Sequence, residues 1–187
     1  SAEQLADVPS LVSRLGKADA DVIMAIAYLE GGVALVRELN RARVKPKMLV
    51  FAVAASVAEF GQELLAEAEG ITGVTQWLRS IRMPGAQDFA YRYRKRYGYN
   101  PGAYAALGYS AGQVMEAAVR LAGTVEAAPV RDQLHSMVFN SLLGIYKVDE
   151  NGRQVGKSNY LVQWQGQDRR LVEPAKLAES DLIYPMP

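Results

Sequence analysis

The sequence predicts an α/β protein in which a parallel sheet with flanking helices is followed by an antiparallel return near the C-terminus. Short apolar runs alternate with amphipathic stretches through the first two thirds of the chain. This alternation is typical of parallel strands joined by right-handed crossovers. The last part of the chain instead carries strand-like segments separated by turn signals, which indicates antiparallel pairing.

Three short segments are the predicted parallel strands, and they span residues 21–27, 48–53 and 70–77. The first two are apolar almost throughout, as strands buried on both faces are. The stretches between them carry apolar residues at three- and four-residue spacing, which predicts amphipathic helices. Residues 31–32, a glycine pair, are expected to end the first strand, and Ser56 is expected to cap the helix after the second strand.

A basic helix is predicted after Pro84, where three aromatic residues recur every four positions: Phe89, Tyr93 and Tyr97. Gly98 is expected to end this helix. Two further helices are predicted over residues 101–123 and 129–138. Because the aromatic residues share one face, the arginines and lysine between them are interpreted as a solvated face rather than a nucleic-acid site.

The predicted antiparallel return consists of strands at 144–148 and 159–164, with a turn at 149–152. Residues 152–158 are similar to a phosphate-binding loop, but they have three residues between the two glycines where that motif has four. A phosphate-binding loop also has to follow a strand and open a helix, so that its N–H groups converge on the phosphate. Since this stretch is predicted between two strands, we expect no nucleotide site.

Composition and charge exclude several classes of protein. Of the 187 residues, 50% are hydrophobic and 22% are charged, and the net charge is +1. These values are ordinary for a globular protein, and they provide no basic field for a nucleic-acid backbone. No apolar run approaches the roughly 20 residues needed to span a bilayer. The N-terminal residues 1–4 show no signal peptide.

Catalytic groups are sparse, so the sequence does not predict an enzyme. There is no cysteine, which removes thiolate catalysis and cysteine-bound metals. The single histidine, His135, falls in a predicted helix without a recognisable nucleophile elbow. Glu59, Glu63 and Glu67 are interpreted as a solvated helix face. A Rossmann-like enzyme remains the rival class, but its glycine-rich strand-to-helix turn is missing. We expect neither a cofactor nor a metal.

Aromatic residues follow the ends of the three predicted parallel strands, and they suggest a binding cleft. Tyr28 follows the first strand, Phe51 lies near the end of the second, and Trp77 ends the third. In open parallel sheets, ligands bind outside the carboxyl ends of the strands. The alternative is that all three rings lie in the core. The candidate ligand-binding set is Tyr28, Leu29, Phe51, Ala52, Gln76, Trp77 and Tyr104.

The order of several short segments resembles the leucine/isoleucine/valine-type periplasmic binding proteins, including a branch linked to aromatic acids and other non-amino-acid solutes. The segments are residues 21–23 with Tyr28, 44–47, 73–77, 97–101 with Tyr104, 108–111, 144–148 and 183–187. The resemblance covers nearly the whole chain. It implies a receptor of an ABC importer that closes two α/β lobes around a small-molecule solute and then docks on a membrane permease. It further implies location in the periplasm or anchoring at the cell surface, with the signal peptide absent from this chain.

By this resemblance the chain corresponds to the C-terminal half of such a receptor. Residues 1–98 are assigned to the second lobe, 99–143 to helices of a first lobe whose sheet is missing, and 144–187 to strands that return to the second lobe. The chain is then expected to pair with a missing N-terminal half or to form a homo-oligomer, because the helix after Tyr104 carries apolar residues with nothing to cover.

The ligand implied by the resemblance depends on one departure from the family. Amino-acid binders of the family place an acidic residue at the end of the second strand, where it pairs with the ligand ammonium. Residues 51–54 contain no carboxylate here, and a buried ammonium without a counter-charge is costly. We therefore expect an aromatic acid or another non-amino-acid solute. One alternative ligand is a branched-chain amino acid whose ammonium is held by Glu30. Two alternative functions remain: a ligand-sensing regulatory domain of the same fold, and a half-receptor that has lost ligand binding and only assembles with another chain.

Overall fold

The computed structural model describes residues 7–81 and 83–187, and these form two compact units. The expectation about a signal peptide in residues 1–4 lies outside the described residues. The first unit contains the chain up to Thr75 together with Tyr160–Pro187, and the second contains Gln76–Asn159. The units thus divide at 75/76 and 159/160, and the predicted division between two lobes at 98/99 and 143/144 stays a prediction. The assignment of either unit to a lobe of a longer receptor stays a prediction.

The helices and strands alternate along the chain as far as the third strand, and helices and β-hairpins follow. The helices are α1 (Val8–Ala18), α2 (Leu29–Ala42), α3 (Ala58–Leu64), α4 (Ala86–Tyr97), α5 (Ala103–Ala122) and α6 (Ala127–Ser136). The strands are β1 (Val22–Ala25), β2 (Met48–Phe51), β3 (Thr72–Thr75), β4 (Phe139–Ser141), β5 (Gly144–Tyr146), β6 (Tyr160–Gln165) and β7 (Asp168–Glu173). Short 3₁₀ turns occupy Ala54–Ser56, Leu65–Ala68 and Ala175–Leu177.

One five-stranded sheet, in the order β1-β2-β3-β6-β7, organises the first unit. The first three strands are parallel, with Ala25 opposite Phe51 and Phe51 opposite Gly73. β6 and β7 then join in antiparallel orientation. The predicted fold class is confirmed, because the apolar runs became a parallel sheet and the tail became its antiparallel return.

The core of the first unit forms where helices approach the sheet closely. Phe51 and Phe60 are fully buried, with their ring centroids 5.4 Å apart. Gly32 lets α2 approach Ala54, because a side-chain carbon at position 32 would collide with the Ala54 methyl group. The prediction that residues 31–32 end the first strand is therefore wrong, since β1 already ends at Ala25. Residues 31–32 lie inside α2, where the missing side chain at Gly32 permits the close contact.

The buried side-chain amide of Gln163 links the C-terminal segment to the sheet. The side chain of Gln163 donates to the carbonyl oxygens of Gly70 (2.8 Å) and Ile183 (2.9 Å) and accepts the N–H of Ile183 at 2.8 Å. Further along, the N–H of Met186 donates to the carbonyl of Lys47 at 2.8 Å. Residues at the end of the chain thereby contribute to the stability of the unit that holds the sheet.

The second unit is mainly helical and contains the β4–β5 hairpin. Its core surrounds the buried rings of Trp77 and Phe89, whose centroids lie 6.1 Å apart in an edge-on arrangement. Ala106, Leu142 and Leu143 complete this cluster. α4 begins after Gly85 and ends at Gly98, as its aromatic spacing predicts. Tyr97, however, is half exposed, so the apolar face of this helix is shorter than predicted.

Two local predictions are wrong. Ser56 does not cap α3, because its hydroxyl donates to the carbonyl of Val53 within a 3₁₀ turn, and Val57 precedes the helix instead. β5 pairs with β4, not with the strand that begins at Tyr160. The predicted turn is present, since the N–H of Gly152 donates to the carbonyl of Asp149 at 3.0 Å.

Neither a membrane-spanning helix nor a cluster of metal ligands occurs among the described residues. None of the helices in residues 7–81 and 83–187 is both long enough and apolar enough to cross a bilayer. Over the same residues, no group of three or more histidine, cysteine, aspartate or glutamate side chains is arranged to hold a metal ion.

Candidate functional site

The carboxyl ends of β1 and β2 lie side by side in the first unit, and the chain stays paired beyond both strands. The N–H of Ala52 donates to the carbonyl of Ala25, and the N–H of Ala54 donates to the carbonyl of Ala27, each at 3.0 Å. The segment that leads to Tyr28 and the segment that follows Phe51 therefore form one edge of the sheet. This is the edge at which open parallel sheets bind ligands.

Tyr28 is the open aromatic residue at this edge. It precedes α2 with an extended backbone, and its carbonyl accepts the N–H of Gly32 at 2.8 Å. Its side chain makes no capping hydrogen bond and is 77% exposed. Tyr28 therefore lies outside the core, and its place in a ligand cleft stays a prediction. Leu29 beside it is half-buried against the core of the unit.

Phe51 and Ala52 lie at the same edge but differ in exposure. The ring of Phe51 is fully buried against Phe60, while Ala52 is exposed. The expectation that the Phe51 ring forms an open wall is wrong, because the ring points into the core between α2 and α3. At this position only the backbone and the Ala52 methyl group are available to a ligand.

The other three predicted residues belong to the second unit. Trp77 is 3% exposed and packs in the core of that unit, so its ring is not an open wall either. Gln76 is half-buried, and its side-chain oxygen accepts a hydrogen bond from the Lys157 ammonium at 2.9 Å. Tyr104 lies on α5 and is mostly exposed. The structure thus groups the predicted residues in two sets, and their convergence on one cleft stays a prediction.

The charge at the β1–β2 edge is low. Residues 51–57 carry no ionisable side chain, and Glu30 in the first turn of α2 is the nearest carboxylate in sequence to Tyr28. The positive end of the α2 dipole begins directly after Tyr28. Glu30 and the start of α2 therefore have opposite electrostatic effects beside Tyr28.

Sequence reasoning missed the residues that hold the loop after β2. The indole of Trp164 donates to the carbonyl of Ala55, and the guanidinium of Arg169 donates to the carbonyl of Ser56. The Arg169 guanidinium also lies 5.8 Å from the centre of the Trp164 ring, and burial lowers the pKa of Arg169. No local pattern gives the two hydrogen bonds to the loop, because each joins residues more than 100 positions apart.

Comparison with known proteins supports the resemblance stated above. The sequence profile of the family described as periplasmic binding protein matches residues 2–169. The chain therefore belongs to the periplasmic binding protein family.

Curated relatives are about twice as long as the chain. The Leu/Ile/Val-binding protein homolog 7 of Brucella abortus is 24% identical over 189 residues, which cover 96% of this chain and 47% of that protein. The chain thus spans about half the length of the curated relatives that it matches.

Solved structures share the fold. The leucine binding protein LivK of Thermotoga maritima has a TM-score of 0.78 and 22% identity, over 88% of this chain and 47% of that chain. A solute-binding protein of an ABC transporter from R. palustris, solved in complex with benzoate, has a TM-score of 0.68 and 18% identity, over 95% and 47% of the two chains. Both comparisons show that the chain has the fold of these proteins over about half of their length.

Proposed function

We propose that the chain is part of the solute-binding component of an ABC-type importer and encloses a small solute without chemical change. The single observation that carries the proposal is the exposed Tyr28 at the carboxyl edge of a parallel sheet, in a chain of this family. Such a receptor works because the solute binds the closed form better than the open form. The closed form would then dock on a membrane permease, in the periplasm or at the cell surface.

The solute class that we propose is a neutral or anionic, partly aromatic compound. The Tyr28 ring offers a flat face, and its hydroxyl offers one hydrogen bond for orientation. The start of α2 favours a carboxylate, and residues 51–57 provide no counter-charge for an ammonium. The benzoate complex of the R. palustris protein supports this class at the level of the fold.

A branched-chain amino acid is the second candidate, and the names of the Brucella and Thermotoga relatives favour it. This alternative requires a carboxylate for the α-ammonium, and Glu30 is the residue placed to supply it. A ligand-sensing regulatory domain would use the same edge of the sheet. It differs from an importer receptor in its partner rather than in its pocket.

Calorimetric titration of the 187-residue chain, and of any longer protein that contains it, tests the proposal. Benzoate-type acids and leucine are the two probes. We expect the aromatic acid to bind and Tyr28→Ala to weaken it about tenfold or more, which is ~1.4 kcal/mol. Tyr91→Ala, which removes an exposed tyrosine of α4, is the matched control and is expected to change nothing.

Glu30→Gln separates the two candidate solutes. If leucine is the ligand, this substitution removes its counter-charge and weakens leucine binding, whereas benzoate binding is unchanged or improved. Tight leucine binding that depends on Glu30, with no response to any aromatic acid, would contradict the proposed solute class.

A further inference from the structure

The 3₁₀ turn that follows β2 occupies residues 54–56, and it is bonded to the segment that carries Tyr28. The N–H of Ala54 donates to the carbonyl of Ala27 at 3.0 Å. Ala27 directly precedes Tyr28, the exposed aromatic residue of the candidate site. A displacement of the 54–56 turn therefore displaces the backbone from which the Tyr28 ring projects.

The 54–56 turn is closed on Val53 by two hydrogen bonds. The N–H of Ser56 donates to the Val53 carbonyl at 2.9 Å, and the Ser56 hydroxyl donates to the same oxygen at 2.7 Å. Ala54 and Ala55 are fully buried, and Ser56 is also buried. Because a buried and closely packed segment transmits displacement instead of absorbing it, a group that holds Ser56 also holds Ala54.

The sheet and the C-terminal hairpin hold this turn from outside. A side-chain carbon at Gly73 of β3 would lie 2.8 Å from the carbonyl carbon of Ala55, so the glycine permits the turn to rest directly on the strand. The indole of Trp164 on β6 donates to the Ala55 carbonyl. The guanidinium of Arg169 on β7 donates to the Ser56 carbonyl. Two side chains of one hairpin thus fix two successive carbonyl groups.

The guanidinium of Arg169 lies where a charge is disfavoured. Burial lowers the pKa of Arg169, and the attraction of Glu59 and Asp168 offsets this effect only in part. Within the described part of the chain, Arg169 contacts the Ser56 carbonyl and the Trp164 ring but forms no ion pair. Since an apolar side chain of similar volume often serves the stability of a fold as well as a buried charge does, stability alone does not account for this arginine.

We propose that Arg169 and Trp164 are positioning residues of the solute site. They hold the 54–56 turn, and the turn fixes the backbone before Tyr28. This inference rests on the proposed function, because it takes Tyr28 as a contact of the solute. A ring whose backbone is already fixed loses less freedom when a solute binds, so the hairpin increases the affinity without touching the solute.

Calorimetric titration with benzoate and with leucine tests the role of Arg169. Arg169→Met replaces the charged donor with an apolar group, and we expect it to weaken whichever probe the unmodified chain binds by about fivefold or more. Arg169→Lys keeps a charged donor and is expected to recover most of the affinity. Arg170→Met is the matched control, because the neighbouring Arg170 is exposed and paired with Asp168. It is expected to leave the affinity unchanged.

Hydrogen exchange in the same variants distinguishes failure of this inference from failure of the proposed function. Arg169→Met is expected to speed exchange at the Ala54 amide by about fivefold or more. The Met48 amide is the internal reference, because it makes an equivalent 3.0 Å bond to Asp21 at the other end of the β1–β2 pair. If neither probe binds the unmodified chain, the proposed function is contradicted, while faster exchange at Ala54 alone still supports the hold of Arg169 on the turn.

Two results would overturn the inference. One is unchanged exchange at Ala54 in Arg169→Met. The other is unchanged affinity in Arg169→Met together with a lower free energy of unfolding, which would mean that Arg169 serves the fold alone. An equal loss of affinity in Arg170→Met would likewise count against it, since the loss would then follow from the removed charge and not from the position of the turn.

Discussion

The indole N–H of Trp164 donates a 2.9 Å hydrogen bond to the carbonyl oxygen of Ala55. Through this bond, the antiparallel strand β6 holds the loop that leaves the parallel strand β2. Arg169 on β7 adds a second bond at Ser56. The loop beside the candidate site is therefore fixed by the C-terminal hairpin, although the hairpin lies at the other end of the sequence.

Replacing Trp164 with phenylalanine tests this bond. The substitution removes the donor to the Ala55 carbonyl and also the outer part of the ring that packs at Gly61. We therefore expect the free energy of unfolding to fall by at least the roughly 1–3 kcal/mol of one unsatisfied buried carbonyl. Denaturant unfolding measures the change, with Trp77 as the remaining tryptophan. Tyr91→Phe, at an exposed position of α4, is the control and is expected to stay within about 0.5 kcal/mol of the unmodified chain. Equal stability of Trp164→Phe and the unmodified chain would show that the bond contributes little.

A pair of glycine substitutions tests the packing of α3 on the sheet. A side-chain carbon at Gly61 would lie far inside van der Waals contact with the Trp164 ring. We expect Gly61→Ala to destabilise the chain by about 1–3 kcal/mol, because the core is overpacked there. Gly112→Ala in the middle of α5 meets no neighbour within 4 Å. It is expected to stabilise the chain by roughly 0.5–1 kcal/mol. Thermal unfolding that shifts in the same direction for both variants would contradict the close packing of Gly61.

The sheet could be predicted because its strands are local patterns. Residues 21–27, 48–53 and 70–77 are short segments between helical patterns, as strands of a parallel sheet are, and each contains one of the observed parallel strands. The partner of β5 is local but was not predicted. β5 was expected beside the strand at 159–164, yet its partner is β4 on the other side of a two-residue turn.

The candidate site could be predicted in place but not in detail. Tyr28 is exposed because it follows the end of a strand, which the sequence shows. The burial of Phe51 and Trp77 depends on Phe60 and Phe89, which reach them only after the helices have packed. Whether an aromatic residue at the end of a strand lies in a cleft or in the core is decided by those non-local contacts.

A third prediction concerns the buried side-chain amide of Gln163. Gln163→Leu has a similar volume but removes the bonds to Gly70 and Ile183. We expect a loss of roughly 1–3 kcal/mol for each backbone group left unsatisfied, together with faster hydrogen exchange at the Ile183 amide. Gln87→Leu, on the exposed side of α4, is the control. If exchange at Ile183 is unchanged, the C-terminal segment is held by other contacts, such as the Met186 bond to Lys47.

The last prediction concerns Lys157, which lies partly buried in the second unit with its ammonium 2.9 Å from the Gln76 oxygen. Burial lowers the pKa of Lys157 in the folded chain. Between that lowered pKa and the ordinary lysine pKa of about 10.4, the unfolded chain binds more protons than the folded chain. Stability from this group therefore rises as the pH rises through the interval, and it falls again when the ammonium re-forms at lower pH.

Comparison with Lys157→Met isolates this contribution, because the other lysines and tyrosines titrate in both proteins. The free energy of unfolding of the unmodified chain, minus that of Lys157→Met, is expected to increase from neutral pH toward pH of about 10.4. Lys176→Met, at an exposed position of the first unit, controls for the general effect of removing one lysine. A difference that is flat for Lys157→Met, or that decreases with pH, would mean that the Gln76 hydrogen bond offsets the burial of the ammonium.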